Sequence, residues 1–348
     1  MAEDKTFKVG VLGTGWVAGA HIDTFSKIDG CEVVAVSSRD KQRAADRIAE
    51  LGISAEPYDN VDALLGHDGL DIVVICTPHP NHPAETIAAA NAGKHIVIEK
   101  PVSLNREDLA KMVKAVNAAG VQTSVCFELH WNGMFAAMKK HIEAGKLGKL
   151  FYGEASYFHG IGPWYGQWNW NTKKAMGGDA LLTAGCHALD ALIWLMDSPV
   201  VEVSAMSNTS PDNPLEYEYD TNSIAILKFA NGALGKVATS IESRHPYLFP
   251  VLVQGDKGAL WNNQIATVES EGAMSSGWSQ FEGALPDSGD VNDHPYAGQL
   301  QYFVDCIRNG ERPHNDLAAA SHVHEVIFAI NKSIATGKVA AVPKTPWT

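Results

Sequence analysis

Two short stretches carry side chains suited to moving protons: Glu99-Lys100-Pro101, and Thr183 through Gly185-Cys186-His187 to Asp190. Lys100 closes the apolar run His95-Ile96-Val97-Ile98, which has the composition of a buried strand. A lysine beside a glutamate at the rim of an apolar sheet can be held as a hydrogen-bond donor or tuned for proton transfer. A surface ion pair would use the same two residues, but the preceding strands all end on one rim and Lys100 belongs to it. Thr183 and His187 are four residues apart, and His187 and Asp190 three apart, so helical geometry places all three on one face. A histidine there can serve as acid or base near neutral pH. A lone helical histidine is also a common structural residue, and spacing alone leaves both roles open.

Such groups need a frame, and it begins at Val9-Gly10-Val11-Leu12-Gly13-Thr14-Gly15-Trp16-Val17-Ala18. Strand formers run into a Gly-x-Gly turn, and a helix-compatible segment follows. Gly13 permits the tight turn, Gly15 lets backbone approach a pyrophosphate, and Ala18 allows close helix–strand packing. The helix N-terminus would then offer free N–H groups to the phosphates. The turn Gly13, Thr14, Gly15, Trp16, Val17 is therefore the expected cofactor cradle. After the second strand, Glu32–Val36, an NAD site usually carries an acid for the ribose hydroxyls. This chain has Ser37-Ser38-Arg39-Asp40 instead. Ser38 and Arg39 suit a 2′-phosphate, which favours NADP over NAD, with dual use possible. Otherwise Arg39 is a solvated residue and Asp40 the cap of the next helix. Strand Asp71–Cys76 ends in Thr77-Pro78-His79-Pro80-Asn81-His82, placing Thr77, Pro78 and Asn81 beside the ribose and nicotinamide. Two histidines around a proline-rich turn are a poor metal signal, and no metal is expected. His82 is expected to cap or open the helix Pro83–Ala92.

Helices are expected at Ala18–Ile28, Lys41–Leu51, Asp59–Leu65, Asn105–Ala119 and Asn132–Ala144, with a strand at Gln122–Phe127. This alternation implies a doubly wound α/β domain over residues 1–127. Residues 128–348 imply a mostly antiparallel open sheet, with strands near Phe151–Phe158, Val201–Met206, Ser223–Phe229, Ala233–Ile241, Pro250–Gln254 and Ala259–Trp261. Asn231-Gly232 is a hairpin signal between two of them. Helices are expected at Ala184–Met196, Ala297–Arg308 and Asn315–Ala335, the last two able to pack back on the first domain. The polar stretch from Thr267 to about Asp293 is expected to be a long loop. Trp164, Tyr165, Trp168 and Trp170 crowd one loop, where their faces could stack on a sugar or cyclitol ring, or else form a lid or subunit contact.

With 348 residues, 45% hydrophobic and 19% charged, two globular domains are affordable in core material. A net charge of −13 argues against a nucleic-acid or anionic-membrane surface as the working face. No apolar run suggests a bilayer span, nothing resembles a signal peptide, and five scattered cysteines without Cys-x-x-Cys favour reduced thiols in the cytoplasm.

Taken together, Gly13-Thr14-Gly15, Cys76-Thr77-Pro78 with Asn81-His82, Ala92-Gly93-Lys94-His95-Ile96-Val97-Ile98-Glu99-Lys100-Pro101, and Gly177-Gly178 through Gly185-Cys186-His187 to Asp190 resemble the glucose–fructose oxidoreductase / inositol dehydrogenase / rhizopine-catabolism (Gfo/Idh/MocA) family. The resemblance implies a Rossmann NAD(P)-binding domain followed by an open-sheet substrate domain, with the active site between them. It implies hydride exchange between nicotinamide and a secondary hydroxyl or ketone of a sugar, glycoside or cyclitol, with Lys100 and His187 as the catalytic pair. It adds His82, Glu99, Lys100 and Trp170 to the cofactor side, and Lys100, Thr183, His187, Trp164 and Trp131 to the substrate side. The Lys100–Pro101 bond is often cis in such proteins. A homo-oligomer, dimer or tetramer, formed through the open sheet face is implied as well. Many members carry Asp where this chain has Thr183, which sets it apart from the inositol dehydrogenases at that position. Two alternatives remain: glycoside cleavage with a retained cofactor, and a non-catalytic nucleotide-binding regulator, against which the presence of both Lys100 and His187 argues.

Overall fold

Runs of three to seven residues, mostly apolar, build the first sheet: β1 (Phe7–Leu12), β2 (Cys31–Ser37), β3 (Glu56–Tyr58), β4 (Leu70–Ile75), β5 (His95–Ile98) and β6 (Thr123–Val125). In the computed structural model, which describes residues 5–268, 274–283 and 294–344, these six strands are parallel in the order β3-β2-β1-β4-β5-β6. That is the Rossmann order, with the reversal between β1 and β4. Between the strands run α1 (Trp16–Phe25), α2 (Lys41–Leu51), α3 (Val61–Leu65), α4 (His82–Asn91) and α5 (Arg106–Ala119). Short polar side chains start several of them. Asp40 accepts from Gln42 N–H at α2, and Asn105 accepts from Asp108 N–H at α5. Left-handed Gly52 and Gly120 end the same two helices.

The second unit starts with α6 (Gly133–Glu143) and β7 (Leu150–Phe158), then passes through two one-turn helices, α7 (Trp168–Asn171) and α8 (Lys174–Gly177), into α9 (Cys186–Met196). Strands β8 (Val200–Asn208), β9 (Asn222–Phe229), β10 (Leu234–Ser240), β11 (Val251–Gly255), β12 (Gly258–Trp261), β13 (Gln264–Thr267), β14 (Ser279–Gln280) and β15 (Ala340–Ala341) follow. They form a nine-stranded sheet ordered β14-β13-β12-β11-β7-β10-β9-β8-β15. Asn231-Gly232 turns the antiparallel β9–β10 hairpin as expected. All pairs are antiparallel except β7–β10, whose parallel pairing uses the long crossover through α9, β8 and β9. One face packs on α9: a Cβ on Gly153 of β7 would lie 2.8 Å from Leu192 Cδ1 and 2.6 Å from Met196 Sδ. On the other face Met206, Ile224, Ile226 and Leu234 are exposed.

Two helices complete the chain, α10 (Tyr296–Asn309) and α11 (Leu317–Thr336). Residues 294–321 belong with 5–128, and residues 322–344 with 129–283. In the first unit, Leu300, Phe303 and Val304 of α10 join Ile22 and Phe25 of α1 and Val9, Val36, Ile72 and Val97 of the sheet in one core. Each such fully buried side chain contributes about 1.5–3 kcal/mol. The outer edge of β6 is closed from the same segment, because Val125 N–H donates to Asn315 O at 2.8 Å and the Asn315 and Gln299 amides donate to Val125 O at 2.9 Å.

Two expectations change. Part of the stretch read as a loop is strand: β13 reaches Thr267 and pairs with β14, while residues 269–273 and 284–293 lie outside the described residues. One stretch, Lys174–Met196, is long and apolar enough to cross a membrane, contrary to the sequence expectation. With 83% of its most apolar window buried, it is the core helix of the second unit.

Candidate active site

The fingerprint turn takes its shape from backbone contacts. Gly13 has φ +111°, and a Cβ there would sit 2.6 Å from the Cys76 carbonyl oxygen, so glycine is required by both conformation and space. Gly15 is the N-cap of α1 with no side-chain cap, and a Cβ there would meet nothing within 4 Å. Gly15 thus leaves room at the α1 N-terminus, beside half-buried Thr14 and Val17 and exposed Trp16, which fits a pyrophosphate. Beyond β2, Ser38 donates its N–H to Tyr58 O, Arg39 is exposed, and Asp40 is engaged as the α2 cap.

The loops after β4 and β5 share this rim. Thr77 Oγ1 donates to Glu85 at 2.5 Å, Pro78 is half-buried and Asn81 is exposed. His82 opens α4, as expected, and it is fully buried. Its Nδ1 lies 2.8 Å from Pro101 O and its Nε2 lies 2.8 Å from Thr77 O. Burial pushes its pKa below the ordinary histidine value, while these two carbonyls and Glu99 push the other way. The Lys100–Pro101 bond is cis. Glu99 is buried and Lys100 half-buried. Glu99 Oε1 accepts from His21 Nε2 at 2.9 Å and Tyr296 Oη at 3.3 Å, and Oε2 accepts from Lys100 N–H at 3.2 Å. Burial alone would raise the Glu99 pKa. The His21 hydrogen bond and the charges of His21, Lys100 and His82 outweigh it and hold the carboxyl at about 2. His21, Glu99 and Cys126 also bring ligand-type atoms within 4.8 Å of one another, but the nitrogen and oxygen are already joined by that hydrogen bond.

In the second unit the three helical side chains have separate partners. Leu181–Gly185 is a π-turn, with Cys186 N–H donating to Leu181 O five residues back. Thr183 lies within this turn. Its buried hydroxyl lies 3.1 Å from Gly177 O, 3.2 Å from Asn171 Oδ1 and 3.2 Å from Tyr219 Oη. Tyr219 in turn donates to Asn171 O at 2.7 Å. Gly185 fits because a Cβ would lie 2.1 Å from Thr239 Oγ1. His187 is buried with Tyr157 stacked over it at 6.3 Å, and Tyr157 Oη meets His159 Nδ1 at 3.2 Å. Asp190 Oδ2 accepts from His130 Nε2 at 2.8 Å, and that ring stacks on Trp194 at 4.1 Å and beside Trp131 at 5.8 Å. Burial raises the Asp190 pKa and His130 opposes the shift. Trp164 is 65% exposed and donates to Gly160 O, whereas Trp170 is half-buried in α7.

Residues 7–127 match the family described as "Oxidoreductase family, NAD-binding Rossmann fold", and residues 135–261 match "GFO/IDH/MocA C-terminal domain". The chain belongs to the Gfo/Idh/MocA oxidoreductase family. Among similar proteins, scyllo-inositol 2-dehydrogenase (NAD(+)) of Bacillus subtilis (strain 168) is 28% identical over 330 residues, 92% of each chain. D-xylose 1-dehydrogenase (NADP(+)) 2 of Haloferax volcanii is 24% identical over 328 residues, 94% of this chain and 97% of its own. The solved structure of levoglucosan dehydrogenase in complex with NADH has the same fold, with a TM-score of 0.87 at 21% identity, covering 97% of this chain and 100% of that one.

In this Gfo/Idh/MocA oxidoreductase several residues of the site escaped sequence reasoning. His21 and Tyr296 hold Glu99 from positions 78 and 197 residues away. Tyr157, Asn171 and Tyr219 surround His187 and Thr183 from strand and turn positions with no motif of their own. The alternation of β7, where Tyr157 falls in a buried run, is the single local hint.

Proposed function

We propose that this oxidoreductase is a cytoplasmic dehydrogenase or reductase that exchanges hydride between a nicotinamide dinucleotide and a secondary hydroxyl or ketone of a sugar, glycoside or cyclitol. The observation that carries the reading is Lys100, held on the rim of the glycine turn beside an ionised, buried Glu99. When bound, the dinucleotide supplies the hydride acceptor or donor. Gly13 to Val17 would hold its pyrophosphate, and Thr77, Pro78 and Asn81 the ribose and nicotinamide side. Lys100 Nζ donates to the reacting oxygen and steadies its negative charge, and His187 takes or returns the hydroxyl proton. The test is nicotinamide absorbance with NAD or NADP and a panel of sugars, glycosides and inositols. Turnover is expected with at least one cyclic polyol. Glycoside hydrolysis without net cofactor change would replace this reading with cleavage by a retained cofactor.

NADP is the preferred dinucleotide in this reading. Asp40 is engaged at the α2 cap and Arg39 is exposed beside it, and a guanidinium there would pair with a 2′-phosphate. Arg39→Ala is expected to raise KM for NADP about tenfold and to leave NAD within twofold. An unchanged NADP KM would remove Arg39 from recognition.

The enzyme works as a homo-oligomer, dimer or tetramer, through the open sheet face. Met206, Ile224, Ile226 and Leu234 stand exposed there on β8, β9 and β10, a patch that water leaves costly to expose. Light scattering should give a multiple of 37.4 kDa for the wild type and 37.4 kDa for Met206→Glu/Ile226→Glu. A wild-type monomer would overturn the assignment.

A further inference from the structure

We infer that His82 is held as a doubly protonated ring that ties the loop after β4 to the loop after β5, and that this tie positions Lys100. The inference rests on the functional reading above for what Lys100 does. Carbonyl oxygens only accept, and a neutral imidazole has one N–H. With Pro101 O at 2.8 Å from Nδ1 and Thr77 O at 2.8 Å from Nε2, a neutral ring would set a nitrogen lone pair against an oxygen lone pair. Both contacts are satisfied only when each nitrogen carries a hydrogen. The cation so formed is fully buried, and burial works against it, while the two carbonyl contacts and the charge of the Glu99 carboxylate work for it. The other ionisable groups facing the ring are Lys100, which opposes the charge, and His79, whose ring centroid is 5.8 Å away.

The consequence falls on one backbone segment. The N–H of Lys100 is bound by Glu99 Oε2, and the carbonyl of the next residue, Pro101, is bound by His82. The main chain is thereby fixed on both sides of the lysine, and the same ring anchors Thr77 on the neighbouring strand end. His82 is a positioning residue. It acts through Lys100 and Thr77, and its buried nitrogens are both engaged with the protein itself.

Neutron diffraction from crystals of the full-length protein with bound NADP at pD 7.5 reads the protonation directly, without a variant. Deuterium is expected on both Nδ1 and Nε2, and deuterium on one nitrogen only would overturn the inference. The positioning role is read by His82→Asn, whose short amide cannot reach both carbonyls. Its kcat is expected to fall at least about tenfold while KM for the dinucleotide stays within threefold. An unchanged kcat would overturn the positioning role. If His82→Asn does not fold, His82→Gln is measured for the same split. A wild-type enzyme silent on every polyol would refute the functional reading, and the neutron result would still decide the charge of the ring.

Discussion

Lys100→Met is expected to lower kcat by about a thousandfold while dinucleotide affinity, measured by calorimetry, stays within threefold. The substitution is chosen for what it leaves in place. Methionine keeps the unbranched stem and the backbone N–H that Glu99 Oε2 accepts. Glu99 also keeps His21 and Tyr296 as donors, so its carboxylate stays bound and the turn keeps its shape. What disappears is the cation that, in the proposed function, faces the reacting oxygen. A loss of that size corresponds to about 4 kcal/mol of transition-state stabilisation, within the range for removing a charged donor from a preorganised site. Turnover within tenfold of wild type would take the lysine out of the chemistry and leave Glu99-Lys100-Pro101 a structural turn.

Thr183→Asp is expected to destabilise the second unit by about 3 kcal/mol, a fall of roughly 6–12 °C in Tm by calorimetry, and not to broaden the substrate range. The reason is the set of atoms around the hydroxyl. Gly177 O can only accept, and Tyr219 has already directed its hydrogen to Asn171 O. One hydroxyl hydrogen suits this ring of oxygens. A buried carboxylate brings none and faces a carbonyl that cannot move away. Thr183→Ser, which keeps the hydrogen, should stay near wild type. A stable Thr183→Asp protein with a new substrate preference would instead place residue 183 against the substrate, as the family pattern of an acid at this position would have it.

Much of the first unit was legible because its strands are short apolar runs and its helices carry caps such as Asp40 and Asn105. β3 was not, since Glu56-Pro57-Tyr58 has neither an apolar run nor alternation to mark it. β13 to β15 are two to four residues long and exist only through their partners. Lys100 could be placed on the rim because it ends a strand, and a strand end is a local property. His82 could not. The expectation that it opens its helix carries no signal of burial, and its contacts with Thr77 and Pro101 include one across nineteen residues. The π-turn at Leu181–Gly185 was not legible either, because sequence spacing assumes an α-helix throughout.

The closing of β6 by Asn315 sets an order of events on the ribosome. Val125 and the residue that pairs with its edge are 190 positions apart in sequence. At about 5–20 residues per second, the nascent chain displays that unpaired strand for roughly 10–40 s before its partner is synthesised. During that interval Gln299, Asn315 and the α10 side chains Leu300 and Phe303 are all missing from the same unit. A growing polypeptide of this design therefore exposes a sheet edge and an apolar flank together, the combination that chaperones bind and that neighbouring chains on a polysome can join.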